Sequence, residues 1–416
     1  MINFNKFTLS NGLEVIHHQD SNSKLCVLNL LYKVGSKDEN PNKTGFAHLF
    51  EHLMFGGSVN VKEFDSELQM VGGENNAFTS NDITNYYITV PANNIETAFW
   101  LESDRMLSLD FNQKVLDTQK SVVIEEFKER YINPPYGDIW LKLLPLAYKQ
   151  HPYKWPTIGK DFSHIETATL DDVKAFFYGF YAPNNAILVI SGNIDLNKTK
   201  ALAEKWFGSI PKRNFIKPTY PTEPPQTEKR TEKVYADVPL DAIVIGFHIC
   251  HRLHPDFFAC DMLTDILGGG KSSRLYNELL KNKKIFSEVD CYQTGDFEPG
   301  LIIIEGKLTE GITHEIAEKE VFEVINNLIK DGVKITEVEK IKNKTETNIR
   351  FNDVGVLSKA MKLAFATYYG DTNLANTEVE EYLKVSPENI QKAAETYLKP
   401  TNANVLYYFA KNATTK

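Results

Sequence analysis

Cysteine is scarce in this chain, and long basic or apolar runs are missing. The 416 residues hold four cysteines, Cys26, Cys250, Cys260 and Cys291. None belongs to a C-x-x-C unit, which argues against a zinc ribbon or a dense disulfide framework. The formal charge is −9 with no long basic run, so neither nucleic acid nor an anionic membrane is expected as a partner. No apolar stretch approaches the roughly 20 residues that a membrane-spanning helix needs. The opening residues, MINFNKFTLSNGLEVIHH, lack a basic segment followed by an apolar one. They read instead as a strand, an Asn11-Gly12 turn and a second strand. A soluble, reducing, cytoplasmic setting is the expectation.

What remains is a globular mixture, 42% hydrophobic and 24% charged, long enough for two or three domains. Residues 211–232, PKRNFIKPTYPTEPPQTEKRTE, carry five prolines among polar neighbours and read as a linker. The sequence on either side repeats itself. GFYAPNNAIL (179–188) aligns with TYLKPTNANV (396–405), and FAHLFEHLMFGG (46–57) aligns with FACDMLTDILGG (258–269), at offsets of 217 and 212. Two matches in the same order at similar spacing point to a duplication. In each half, alternating strands (85–90, 186–192, 241–249, 300–308) mix with amphipathic helices (94–107, 171–181, 315–330). The expected fold is α+β: residues 1–212 form one domain, 213–231 the linker, and 232–416 a second domain of the same kind.

His48, Glu51 and His52 fall at i, i+3 and i+4 of a helix expected from about Gly45 to Phe55, with Thr44 as N-cap and Gly56-Gly57 as the stop. Two imidazoles one turn apart can hold one Zn²⁺ at about 2.0–2.1 Å from each nitrogen. Glu51, on the same turn, is better placed to act as base on a metal-bound water. This is H-x-x-E-H, the inverse of the H-E-x-x-H order. A catalytic zinc needs a third protein ligand. The candidate segment is NQKVLDTQKSVVIEEFKERYINPP (112–135), capped by Asn112 and ended by Asn133-Pro134-Pro135, with Leu116, Val123 and Phe127 as its buried stripe. Helical geometry leaves Glu125 and Glu126 both open as the ligand. His17, His18, His151 and His164 show no such spacing and read as structural or surface residues. The stretch GGGKSSRL (268–275) lacks the glycine of a phosphate loop, because Asp265 stands in its place, and it reads as a glycine-rich helix end and turn.

These residues resemble the insulinase/pitrilysin family of zinc metallopeptidases, which includes the mitochondrial processing peptidase, over nearly the whole chain. HLFEHLMFGG matches the family's zinc helix, and GGENNAFTSNDITNYYITVP (72–91) its G-x-x-N-A-x-T…T-x-Y-Y segment. KSVVIEEFKE (120–129) matches the helix with its third ligand, and LGGGKSSRL (267–275) a recurrent stretch of its second domain. The resemblance implies His48, His52 and Glu126 as ligands of one Zn²⁺ and Glu51 as general base. Gln119 stands where the family usually has a glutamate, and its amide can accept a hydrogen bond from a ligand histidine without adding charge. A peptide is implied to bind as an added strand along Asn75, Asn76, Ala77, Phe78 and Thr79, with Asn76 and Ala77 giving backbone contacts. In the second half Cys260, Leu263 and Thr264 align with His48, Glu51 and His52, so that copy is expected to be non-catalytic.

Active members also use an Arg and a Tyr seven residues apart. Here LLKNKKIFSEV (279–289) places Leu280 and Ser287 at those positions. The expectation is therefore a zinc endopeptidase subunit acting on peptides or unfolded segments. A second, homologous subunit without zinc would supply the clamp, and the two would enclose a clam-shell chamber. The alternatives are a self-sufficient homodimeric peptidase and a non-catalytic scaffold subunit of a larger complex.

Overall fold

Asn11 and Gly12 (φ 90°) turn the chain between strands β1 (Asn5–Thr8) and β2 (Glu14–Gln19). A computed structural model describes residues 1–214 and 218–411. Residues 215–217 of the expected linker and 412–416 of the expected second domain lie outside the described residues. After β3 (Leu25–Tyr32) come α1 (Phe46–Leu53), α2 (Phe64–Met70), β4 (Glu74–Thr79) and β5 (Thr84–Pro91). Next are α3 (Ile95–Leu107), α4 (Gln113–Phe127), α5 (Ile139–Ala147), α6 (Ser163–Glu166), α7 (Leu170–Phe180), β6 (Ala186–Gly192) and α8 (Leu196–Phe207). The second half runs β7 (Arg230–Ala236), β8 (Ala242–His248), α9 (Phe257–Gly268), β9 (Phe286–Gln293) and β10 (Leu301–Leu308). It ends with α10 (His314–Asp331), α11 (Ile335–Asn352), α12 (Val356–Tyr368), α13 (Leu374–Lys384), α14 (Pro387–Tyr397) and β11 (Ala403–Ala410).

Two mixed sheets carry this α+β fold. The first has the order β1-β2-β6-β3-β5-β4 and the second β7-β11-β8-β10-β9. Each has one parallel pair, β2 with β6 and β7 with β11, and is otherwise antiparallel. Apart from β1, the two orders superimpose strand for strand, and the same short turn, Pro183–Asn185 or Pro400–Asn402, leads into β6 and β11. That match is what a duplicated unit leaves behind.

The packing units do not follow the linear division at 213–231. One unit comprises Met1–Lys128, Trp155–Tyr220 and Ile349–Glu378; the other comprises Glu129–Lys154, Pro221–Asn348 and the chain from Val379 on. The reason is that each sheet is apolar on both faces and needs helices on both. In the first unit, α3 packs on β3 and β5. The opposite face, with Val27, Leu31, Ile187 and Val189, is covered by Ala360, Leu363 and Ala364 of α12, which comes from the second half of the sequence. In the second unit, Leu143, Leu144 and Ala147 of α5, from the first half, cover Val244, Ile303 and Leu406. The proline-rich stretch is held by specific contacts. Tyr220 donates to Asp38 in the first unit. In the second unit, Glu223 accepts the amide N–H groups of Lys149, Gln150 and His151 at 2.8, 2.8 and 3.0 Å.

Loop 35–39 fixes the neighbourhood of α1. Gly35 lies so close to the β4–β5 turn that a Cβ there would meet the Asn81 carbonyl oxygen at 2.4 Å. Ser36 N–H and Lys37 N–H donate to the carbonyls of Ser80 (3.1 Å) and Asn81 (3.0 Å) in that turn. The Lys37 ammonium meets Asp82 at 2.7 Å, both side chains buried. Trp155 Nε1 donates to Ser36 O at 2.9 Å. At the end of the loop, the buried Glu39 carboxylate accepts Gly45 N–H (2.9 Å) and Ala47 N–H (2.8 Å), the first amides of α1. Burial pushes the Glu39 carboxyl well up, and the two amide bonds draw it back.

Behind α1, Arg105 of α3 is fully buried against Glu102, with Nε to Oε2 at 2.7 Å. Its guanidinium lies over the rings of Tyr86 (4.4 Å), Phe64 (4.6 Å) and Phe55 (5.0 Å). Arg105→Met is expected to destabilise the protein by about 3–5 kcal/mol in denaturant unfolding, because it strands the Glu102 charge. Adding Glu102→Leu should restore most of that loss; a double variant as unstable as the single one would mean the stacked guanidinium, not the stranded charge, carries the effect.

Asp38 generates a pH prediction. Burial pushes its carboxyl from 3.8 up to about 6, against the opposing Tyr220 and Gly35 hydrogen bonds. Between those values the folded protein keeps a proton that the unfolded chain has released. Stability from this group is therefore complete below about pH 4 and is lost as pH rises through about 6, a difference on the order of 3 kcal/mol. In metal-free protein, Asp38→Asn should flatten the fall in melting temperature between about pH 4 and 6. Equal slopes for wild type and variant would refute the assignment.

Candidate metal centre

α1 forms because Phe46, Leu49, Phe50 and Leu53 bury one face of FAHLFEHL, leaving His48, Glu51 and His52 on the other. Its start differs from expectation. The residue before it is Gly45, left-handed at φ 89°, where a Cβ would meet the Ile158 carbonyl oxygen at 2.5 Å. Thr44 is not the cap. Its hydroxyl accepts Lys160 N–H and pairs with His164 Nδ1, each at 3.0 Å. Glu39 satisfies the amides instead, so an acidic side chain sits at the positive end of the helix. The helix closes through Phe55 N–H and Gly56 N–H to His52 O and Leu53 O, ahead of Gly57 at φ 101°.

α4 begins where its sequence indicates, with Asn112 Oδ1 accepting Lys114 N–H at 2.8 Å. Leu116, Val123 and Phe127 are buried. The helix then widens into a π turn, Lys128–Ile132, ahead of Asn133-Pro134-Pro135. The two candidate glutamates separate cleanly. Glu125 is exposed and pairs with Lys128 at 2.7 Å. Glu126 points at α1, with Oε2 3.3 Å from His52 Nε2 and 3.6 Å from His48 Nε2. The imidazole centroids are 4.9 Å apart with planes at 79°.

One donor atom from each of His48, His52 and Glu126 lies within 4.8 Å of the others, the one such group of three or more His, Cys, Asp or Glu donors found among the described residues. Donors about 2.0–2.1 Å from a tetrahedral ion lie about 3.3–3.4 Å apart. The separations from Glu126 fit that figure, as does a donor set of two imidazoles and a carboxylate. Glu51 is not part of this cluster; its Oε2 accepts the Thr79 hydroxyl at 2.7 Å. Gln119 is half-buried on α4.

Among the described residues, β4 ends the first sheet and pairs with β5 alone. Ser80 N–H donates to Ile83 O at 2.8 Å across the turn. Antiparallel alternation then turns the backbone groups of Thr79, Ala77 and Asn75 outward and those of Phe78 and Asn76 toward β5. Asn76 thus differs from expectation. Its backbone belongs to the ladder with Tyr87, and its Oδ1 accepts Ala77 N–H at 2.8 Å. Asn75 Nδ2 donates to Asp65 at 2.8 Å, and the Phe78 ring stacks on Phe365 at 6.2 Å. The roles of Glu39 and the Thr79 hydroxyl are not legible in the sequence, because neither lies at helical spacing from α1.

Elsewhere, the aligned positions Cys260, Leu263 and Thr264 of α9 are all buried. GGGKSSRL is the end of α9 and a turn, with Arg274 paired to Glu337 at 2.8 Å. Leu280 is half-buried, and Ser287 is exposed on β9, donating to Lys307 O at 3.2 Å. His17, His18, His151 and His164 each bond to nearby groups: Ile194 O, Asn3 O, Tyr153 N and Thr44 N.

Residues 14–160 match the family described as Insulinase (Peptidase family M16), and 167–345 match the Peptidase M16 inactive domain. The zinc protease PqqE of Helicobacter pylori is 31% identical over 414 residues, covering 96% of this chain and 91% of that protein. The uncharacterized zinc protease YmxG of Bacillus subtilis is 25% identical over 350 residues, covering 83% of each. A crystal structure of a protease from Helicobacter pylori superimposes with a TM-score of 0.91 at 29% identity, over 98% of this chain and all of that one. The periplasmic protease PqqL of Escherichia coli shares the fold alone, with a TM-score of 0.80 at 16% identity over 99% of this chain and 48% of that one. With a matching family model over each half and a relative this similar along almost its whole length, the chain belongs to the insulinase family of zinc proteases, peptidase family M16.

Proposed function

We propose that the chain is a zinc-dependent endopeptidase subunit in which His48, His52 and Glu126 hold one Zn²⁺ and Glu51 is the general base. The observation that carries this reading is the convergence of those three donors, all within 4.8 Å of one another and with Glu126 Oε2 3.3 and 3.6 Å from the two imidazoles, with Glu51 on the same helix. Zinc bound there would acidify a water and polarise a peptide carbonyl. Glu51, on the same helix as the two histidines, would accept the proton of a water that adds to the carbonyl carbon. The same carboxyl then returns the proton to the departing amine as the C–N bond breaks. The outward backbone groups of Asn75, Ala77 and Thr79 would hold an extended peptide as an added strand. Such a site favours peptides or unfolded segments over folded proteins.

On the family resemblance, Leu280 and Ser287 stand where active members carry the Arg/Tyr pair, which supports a homologous zinc-free partner that supplies it, the two subunits forming one chamber. No helix among the described residues is long and apolar enough to cross a membrane. Four free thiols favour a reducing, cytoplasmic compartment.

Elemental analysis of the purified chain, beside a fluorogenic peptide assay, tests the reading. Glu51→Gln should keep one zinc and lose about 10²–10⁴-fold in hydrolysis. Glu126→Gln should lower zinc occupancy, and Glu125→Gln should leave it intact. A metal-free wild-type chain would overturn the proposal. Strong cleavage by the chain alone would overturn only the need for a partner.

A further inference from the structure

Thr79 occupies two places at once. Its hydroxyl donates to Glu51 Oε2 at 2.7 Å, while its backbone N–H and C=O face the open edge of β4. It is also rigidly held. The next residue, Ser80, starts the turn to β5, and its hydroxyl oxygen accepts Asp82 N–H and Ile83 N–H at 3.1 Å each. Ser36 N–H and Lys37 N–H grip the same turn from outside. Threonine adds stiffness of its own, since branching at Cβ restricts χ1. The carboxylate of Glu51 sits on a side chain with several rotatable bonds, and one fixed O–H donor narrows its choices.

From this geometry we propose that Thr79 is a positioning residue for Glu51, and that it couples docking of a peptide strand on β4 to the orientation of the base. The inference rests on the peptidase reading and deepens it. Thr79 thereby acts through Glu51 and is more than a backbone contact for substrate. An added strand that bonds to the Thr79 main chain would steady the same residue whose hydroxyl aims the carboxylate.

Thr79→Val preserves shape and removes the donor; Thr79→Ser keeps the donor. The test uses the zinc-loaded full chain, with its partner subunit if one copurifies. In Thr79→Val, kcat for a fluorogenic peptide should fall about 10- to 100-fold with KM within about twofold, and Thr79→Ser should restore it. Zinc per chain should be unchanged. In a Glu51→Gln background, adding Thr79→Val should leave the affinity for the same peptide unaltered. Unchanged kcat with a raised KM, weaker peptide binding in that background, or no rescue by serine would each overturn the inference. A wild-type chain that binds no zinc would remove the peptidase reading and this inference together, a result visible before any Thr79 variant is made.

Discussion

The site depends on a buried carboxylate that never touches it. Glu39 accepts the first amides of α1, a helix of eight residues that starts after a glycine with no side-chain cap. So short a helix has little stability of its own and relies on its cap and its packing. The loop that carries Glu39 also grips the β4–β5 turn through Ser36 and Lys37. One loop therefore sets the start of the histidine helix and the end of the edge strand. The spacing between Glu51 and Thr79 follows from that double hold. Arg105, among Phe55, Phe64 and Tyr86, stiffens the wall behind α1, and the Tyr86 hydroxyl reaches Phe50 O at 3.3 Å.

The elements with strong periodicity were legible in the sequence. The strands around 85–90, 186–192, 241–249 and 300–308 lie within a residue or two of β5, β6, β8 and β10, and Asn112 caps α4 as its position indicates. His48, Glu51 and His52 could be placed together because the i, i+3, i+4 rule is local. Glu126 could not be separated from Glu125 by spacing, because adjacent helical residues differ by about 100° and only packing says which faces α1. The Thr44 cap failed for a related reason. A threonine before a helix is a good local candidate, but His164 and Lys160, over 100 positions away, claim its hydroxyl. Nor could the helix exchange be seen. The amphipathic patterns of α5 and α12 show that each has a buried face and are silent about which sheet it covers.

The duplication shows how one scaffold carries two different faces. Both halves place a helix between equivalent strands, with Phe46–Leu53 answered by Phe257–Gly268. In the first, His48, Glu51 and His52 occupy the face opposite the apolar one. In the second, Cys260, Leu263 and Thr264 are buried and the helix runs longer. A helix freed from presenting donors can use those positions for packing, and the sheet beneath it needs no change of order to accommodate this.

The exchange of α5 and α12 bears on how the chain is made. β6 ends at Gly192, yet the helix that seals Val27, Leu31 and Val189 begins at Val356. During synthesis the first sheet emerges with one apolar face bare and stays so until most of the second half has left the ribosome. The first unit therefore cannot complete its native packing before α12 has been made. An apolar face uncovered for that long is prone to collapse or to association with other chains. Contacts so distant in sequence also slow the final closure, since the loop-closure entropy is met before the packing that offsets it.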